Sequence, residues 1–306
     1  MTRGRTIALA LAATCLLSGA CAGVQNVVGL PSASSAPNPT TALAVSVLSD
    51  SIYLVDPGTG SQETLVTGLT DFQGGFATWA PDHRHLAYGS AGVIILDAAS
   101  DKGRTLRAGQ MLSMPTWSSD GKQVAYGDGT HLWVTPATKA SPVMVTLPTS
   151  LAPIAMDWGK KGAIAFEGLQ VDCNVPGPCQ STNQSDVWTI RPDGTNLIQL
   201  THVGSALNPK WSPDASQILF IRQVKVKKTT VSQIWAVRSN GTGLHRLTSA
   251  TGVLAADWSP DGKEIAMIRT GTLPNTMQVW VANSDGSNLH ALAGEILPGV
   301  DATLDW

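Results

Sequence analysis

Charge of either sign is scarce in this chain. Asp, Glu, Lys and Arg make up 14 % of 306 residues, and Lys plus Arg (20) stay below Asp plus Glu (22). No basic stripe with interleaved aromatics is present, which excludes the electrostatic footprint of a nucleic-acid binder. The sequence has no G-x-S-x-G elbow, phosphate-binding loop or zinc motif. Its six histidines, His83, His85, His131, His202, His245 and His290, include no H-x-H or H-E-x-x-H group in a context that would bind metal. Helical stretches are few. Gly and Pro, by contrast, supply 48 residues, and ten tryptophans stand beside only three Tyr and four Phe. Low charge, many turns and many β-branched residues suit an all-β secreted domain.

The N-terminus reads as an export signal. Arg3 and Arg5 precede the apolar run Ile7–Leu17, and Ser18-Gly19-Ala20 leads into Cys21. Eleven residues is the length of a signal-peptide core and well short of the roughly 20 that span a bilayer. Leu17-Ser18-Gly19-Ala20-Cys21 resembles a bacterial lipobox, which implies that Cys21 becomes a lipidated N-terminus; the alternative is ordinary secretory cleavage after Ala20. Residues 21–40 are small, polar and proline-bearing, as expected of a flexible linker. Loss of Arg3 and Arg5 leaves 18 basic against 22 acidic side chains, a net of −4. Of four cysteines, Cys15 leaves with the signal and Cys21 takes the lipid. Cys173 and Cys179 then pair by default in an exported chain.

The tryptophans expose a repeat. Trp79, Trp117, Trp158, Trp211, Trp258 and Trp306 each end a short apolar stretch, at spacings of 38, 41, 53, 47 and 48 residues. Tight turns follow five of them: APDHR, SSDGK, GKKG, SPDAS and SPDGK. Pro presets φ and Gly accepts positive φ in such turns. A second strand then alternates with period two (HLAYG, QVAYG, AIAFE, QILFI, EIAMI). A third holds Trp133, Trp188, Trp235 and Trp280 in one column, and a fourth ends in Leu106, Leu200, Leu247 or Leu292. Residues 42–68 supply second, third and fourth strands with Tyr53 in the tryptophan column, while Val300–Trp306 supplies only a first. Both chain ends together predict a sixth blade, giving an all-β, six-bladed β-propeller over 41–306 with four antiparallel strands per blade. Closure of this kind leaves only short, protected sheet edges.

Trp211-Ser212-Pro213-Asp214 and Trp258-Ser259-Pro260-Asp261-Gly262, with Trp117-Ser118-Ser119-Asp120-Gly121 close behind, resemble the repeats of the TolB-type propeller family. The likeness covers about residues 42–306 and departs at Gly159-Lys160-Lys161-Gly162. It implies a propeller and says little about function; the α/β domain that precedes the propeller in TolB has no counterpart in the 21–40 linker. Some propellers of this type are lyases with a metal held by several histidines at the channel, and here His202 alone is placed for that.

Asp82, Asp120, Asp214 and Asp261, and likewise Asp193 and Asp285, read as caps of their own turns rather than a carboxylate ring. The tryptophan columns read as packing between blades. Loop lengths carry the asymmetry. Turns between first and second strands, on one face, are all tight; on the other face Glu167–Ser185, Arg222–Ser232 and Arg269–Thr276 are expanded on consecutive blades. Expanded loops on an economical scaffold are commonly functional. The candidate binding face therefore comprises Arg222, Lys225, Lys227, Lys228, His202, Arg269 and Asn275. The alternative for the lysines is a soluble edge on an extended hairpin. Together these features predict a monomeric cell-envelope lipoprotein on the extracytoplasmic face of a membrane. It would bind an envelope protein or cell-wall component without a cofactor; the alternative is a hydrolase or lyase at the channel mouth. Stable anchoring takes two or more acyl chains, so Cys21→Ser is expected to shift the protein from the detergent to the aqueous phase, with the unmodified mass. Wild-type protein already soluble at that mass would show that Cys21 carries no lipid.

Overall fold

The computed structural model describes residues 41–47, 51–67, 76–90, 92–100, 102–108, 113–174, 179–272, 276–292, 297–298 and 302–306. Cys21, the 21–40 linker and Asn275 lie outside them. Among the described residues the strands form six antiparallel sheets, each with four strands in radial order. Blades 1 to 5 follow the chain, from Ala77–Trp79, Ser113–Trp117, Leu151–Trp158, Ala206–Trp211 and Val253–Trp258 at the hub outward. Blade 6 is composite. Ala302–Asp305 pairs with Leu43–Val47, which is followed outward by Ser51–Val55 and Gln62–Val66. In blade 5, Leu297–Pro298 also pairs with Thr276 and Met277.

Period two has a particular meaning in such a ring, because each sheet is covered on both faces. In Leu43–Val47, Leu43, Val45 and Val47 pack against blade 5, whereas Ala44 faces blade 1. In Gln123–Gly127, Val124 and Tyr126 turn to blade 1 and Ala125 to blade 3. The alternation is thus large against small rather than apolar against polar, since neither face meets water. Six apolar clusters result, one at each junction between neighbouring blades. Trp79, Trp117, Trp158 and Trp258 are buried in them, while Trp211 and Trp306 are half-buried. Burial of one such ring removes about 150–250 Å² from water, roughly 4–6 kcal/mol before ordering costs.

Turn chemistry follows the repeat. Ser118, Ser212 and Ser259 donate their hydroxyls to Asp120, Asp214 and Asp261 at 2.6–2.8 Å. Those carboxylates accept the amides of Lys122, Ser216 and Lys263, and Asp82 accepts those of Arg84 and His85. Each aspartate caps its own turn. The departure in blade 3 has a steric cause: a Cβ on Gly159 would lie 2.8 Å from the Trp211 ring, which leans over that turn.

Ring closure rests on few residues. Four register pairs join Ala302–Asp305 to Leu43–Val47, and Asp305 Oδ2 accepts the Trp79 amide of blade 1 at 2.7 Å. Deletion of Val300–Trp306 would uncover the hub edge of Leu43–Val47, a template for strand pairing between molecules. The truncated chain is expected to aggregate during refolding or purification, as read by size exclusion. A monomer with an unchanged Tm would refute the closure.

Candidate functional site

The residues before the hub tryptophans are Thr78, Thr116, Asp157, Lys210, Asp257 and Asp305, one per blade; all but Asp257 line cavities at the hub, and Asp257 joins them through Lys210. These side chains stitch neighbouring blades together. Thr116 Oγ1 accepts the Trp158 amide at 3.0 Å, Asp157 Oδ2 the Trp211 amide at 2.7 Å, and Asp257 Oδ2 the Trp306 amide at 3.3 Å. With Asp305 and Trp79, the stitching passes through the composite blade. Lys210 cannot accept, so Trp258 turns its amide to Oδ1 of its own neighbour Asp257 at 2.7 Å. The Lys210 ammonium instead reaches Asp257 at 3.0 Å and Asp305 at 2.6 Å.

Three carboxylates therefore surround one ammonium in a place largely shut off from water. Burial, opposed by the Lys210 charge, raises the Asp157 carboxyl above its ordinary range. The same burial, added to by Asp305 and Asp157, pushes Asp257 up to about 8. The ammonium is held charged against its own desolvation by Asp257, Asp305 and Asp157. Deeper in, the channel narrows to a cavity of about 30 Å³ lined by small and apolar residues such as Ala155, Ala255, Met114 and Leu304. At the tight-turn end it opens into a cavity of about 190 Å³ lined by Thr78, Thr116, Asp157, Asp305 and several tryptophans. No local motif announces this ring. Its signal was the Trp−1 column, which reads T, T, D, K, D, D.

The opposite face carries the residues singled out from sequence. Blade 3 raises a hairpin from Ile164–Asp172 and Gln180–Ile190, and blade 4 one from Gln217–Val226 and Thr229–Arg238. Their strands run nine to eleven residues, against five or six in blades 1, 2 and 6. A Cys173–Cys179 disulfide joins the two arms at the blade 3 tip. Val224 pairs with Val231 and Lys225 with Thr230, so the lysine segment is an extended hairpin turning at Lys227–Lys228. Lys225, Lys227 and Lys228 are exposed, as is His202 between blades 3 and 4.

Arg222 and Arg269 serve differently from the lysines. Each guanidinium lies 4.5 Å from the ring centre of a third-strand tryptophan, Trp235 and Trp280 respectively. Arg269 Nε also donates to the Thr251 carbonyl at 3.0 Å. Arg107 of blade 1 covers Trp133 in the same manner, at 4.7 Å. The third-strand tryptophans are only half-buried, and an arginine lid completes their cover at about 0.5–2 kcal/mol apiece. Blade 3 has Gly168 at the Arg222 position, where a Cβ would strike Trp188 at 2.4 Å. Among the described residues no group of three or more His, Cys, Asp or Glu side chains gathers as a metal site.

The raised carboxyls set a pH dependence. Unfolded, Asp257 releases its proton near its ordinary value of 3.8; folded, it holds the proton to about 8. Glu167, buried beside the Asn208 amide, likewise rises from 4.5 to about 7. The folded state binds more protons in this window, so stability is expected to fall as pH climbs from about 4 to 8. Thermal melts at pH 5, 6, 7 and 8 test this, and Asp257→Asn, which removes the titrating group, should flatten the slope. Lys210→Met strands buried charge and should cost about 3–5 kcal/mol at pH 7, and less at pH 5. Equal loss at both values would contradict the charge argument.

No family model and no curated protein matches the chain. Solved structures do. A protein of Agrobacterium tumefaciens assigned as a TolB is 20% identical, with a TM-score of 0.62 over 84% of this chain and 89% of that one. TolB from Acinetobacter baumannii is 14% identical, with a TM-score of 0.67 over 89% and 68%. An oligogalacturonate lyase in complex with manganese is 16% identical, with a TM-score of 0.51 over 79% and 70%. Identities of this size carry the fold and leave function to the site. With six four-stranded blades, a hub tryptophan in each and one blade closed by strands from both ends of the sequence, the chain has the six-bladed β-propeller fold seen in the TolB structures.

Proposed function

We propose that the chain is a cell-envelope lipoprotein, anchored through Cys21 on the extracytoplasmic side of a membrane, that binds a partner through the hairpin face without catalysis. The observation that carries this reading is the asymmetry of the two faces. Neighbouring blades 3 and 4 project long hairpins on one side, and every hub turn on the other is tight. The disulfide stiffens one hairpin, which lowers the ordering entropy lost on binding. A disulfide also fits a compartment outside the cytoplasm. Lys225, Lys227 and Lys228 crown the other hairpin without a salt bridge among the described residues, and free charges of one sign speed association with an acidic surface. The partner is an envelope protein or cell-wall component of net negative charge. The 21–40 linker, as a coil, spans on the order of 25 Å root-mean-square, enough to let the face turn.

A hydrolase or lyase at the channel mouth is the rival reading, supported by the fold shared with the manganese-bound lyase. The described residues favour binding, because the channel below the hairpins is narrowed by small apolar side chains.

Reversal of Lys225, Lys227 and Lys228 to Glu is expected to weaken capture of the partner from detergent-solubilised envelopes while leaving Tm unchanged. Reversals in the Asp120–Lys122 turn should leave capture intact. The opposite pattern would place the partner on the other face.

A further inference from the structure

The sheet edges around the rim of the ring are not equally covered. In blades 1 and 6 the outermost strand pairs along nearly all of the third. Blade 4 differs. Its third strand, Thr229–Arg238, is ten residues long, and its outer strand, His245–Arg246, pairs only with Trp235 and Ala236. Leu247 then donates its amide to the Ile234 carbonyl at 2.9 Å. Ile234 therefore turns its backbone groups outward, and by the alternation of an antiparallel ladder so do Ser232 and Thr230. Among the described residues the Ser232 and Thr230 groups meet no backbone partner on that side. Blades 3 and 5 also extend their third strands, and each closes this edge. In blade 5, Leu297–Pro298 pairs with Thr276 and Met277, four and three residues before Trp280. Val231 and Ser232 hold the same places before Trp235. In blade 3 the ladder shifts register between Leu169 and Val171, and Asn183 has a φ of 57°, so the edge is bent. The blade 4 hairpin has neither device, since Gln217–Val226 and Thr229–Arg238 pair without a register shift. Residues 229–233 carry no charge and no proline, the features that ordinarily blunt an edge strand.

Charge selects the occupant. Between Asp214 and Asp257 the chain has no acidic residue. It has Arg222, Lys225, Lys227, Lys228, Arg238 and Arg246, none in a salt bridge among the described residues. A second copy of the chain would bring two such sets together, and like charges across an interface repel. An acidic strand is complementary. On one face of the hairpin it would meet Val224, Val226 and Val231, of which Val226 is 47% exposed. On the other face Lys225 stands opposite Thr230.

We propose that the outer edge at residues 229–233 accepts an extended acidic segment of a partner protein as an added β-strand, its side chains apolar on the Val231 face and carboxylate on the Thr230 face. Backbone bonds to Thr230 and Ser232 supply the affinity of such strand addition, and the alternate side chains its selectivity. The inference rests on the reading that the hairpin face binds a partner of net negative charge. It narrows that partner to a protein with an unpaired, strand-forming segment.

The test titrates the full chain with a capped heptapeptide that alternates Glu and Val. Control peptides alternate Lys and Val, or hold Pro in place of the central Val. Binding is followed together with residue-resolved amide hydrogen exchange. Saturable binding of the Glu–Val peptide is expected, with slowed exchange at Thr230 and Ser232, and no binding of either control. Thr230→Pro removes an outward N–H that the hairpin does not use, at a place where an edge strand tolerates proline. It should leave Tm nearly unchanged and weaken binding about tenfold, the scale of one hydrogen bond. No saturable binding, full binding by Thr230→Pro, or binding without protection at Thr230 and Ser232 would overturn strand addition. If capture of the envelope partner is then still lost on reversal of Lys225, Lys227 and Lys228, the reading of the face survives and only the mode of binding is wrong. Capture unaffected by either change would overturn both. A dimer that Thr230→Pro dissolves would put a second copy on the edge and overturn the acidic partner. Should Thr230→Pro fail to fold, amide protection in the wild type decides.

Discussion

A ring of six sheets has no intrinsic reason to stay closed, because every junction is a similar apolar contact and any one could open. Here the junctions are tied at the hub by side chains that reach across to the next blade's amide. Thr116, Asp157, Asp257 and Asp305 each accept the backbone N–H of a tryptophan one blade on. The amide so used belongs to the residue that fills the junction, so hydrogen bond and packing reinforce each other. Two of these ties, at Trp306 and Trp79, hold the composite blade, where the sheet is assembled from chain segments far apart in sequence.

The same device concentrates charge. Carboxylates accept amides more strongly than hydroxyls do, yet three of them in one hub repel and lose hydration. Lys210 relieves this by forgoing a stitch: its blade leaves Trp258 to bond Asp257 of its own strand, and the ammonium contacts two neighbouring carboxyl groups instead. Replacing such a cluster with apolar groups is often neutral for stability, whereas removing one partner is costly. The arrangement thus specifies which blade meets which around the ring, a role that buried ionic groups fill in other settings.

The two faces divide the labour of the scaffold. On the hub-turn face, serine and aspartate keep each connection within a few residues, leaving the channel mouth as the available concavity. On the other, strands of blades 3 and 4 continue past the sheet as paired hairpins, so their length is supported by ladder hydrogen bonds rather than left as free loop. Arg222 and Arg269 belong to the scaffold side of that division. They cover tryptophans whose outer faces would otherwise meet water, whereas Lys225, Lys227 and Lys228 beyond them are exposed.

The architecture was legible in the chain because a blade is a local object. Trp258, Ser259, Pro260, Asp261 and Gly262 make one turn from five consecutive residues, and the alternation of Val124, Ala125 and Tyr126 is set by the pleat. The composite blade was legible as well, since the missing strands at each end are complementary. The disulfide followed from the expectation that Cys15 and Cys21 are taken up by the export signal and the lipid, which leaves Cys173 and Cys179 to pair. The hub escaped notice because Asp157, Lys210, Asp257 and Asp305 lie 47 to 53 residues apart and gain meaning only when six blades converge on one axis. Likewise Arg222 reads as a surface cation from its hairpin sequence, and only the third strand brought beside it supplies Trp235 beneath. Local steric and turn preferences are written residue by residue; the meeting of charges, lids and cavities belongs to the closed ring, because distance in space is set by packing rather than by sequence separation.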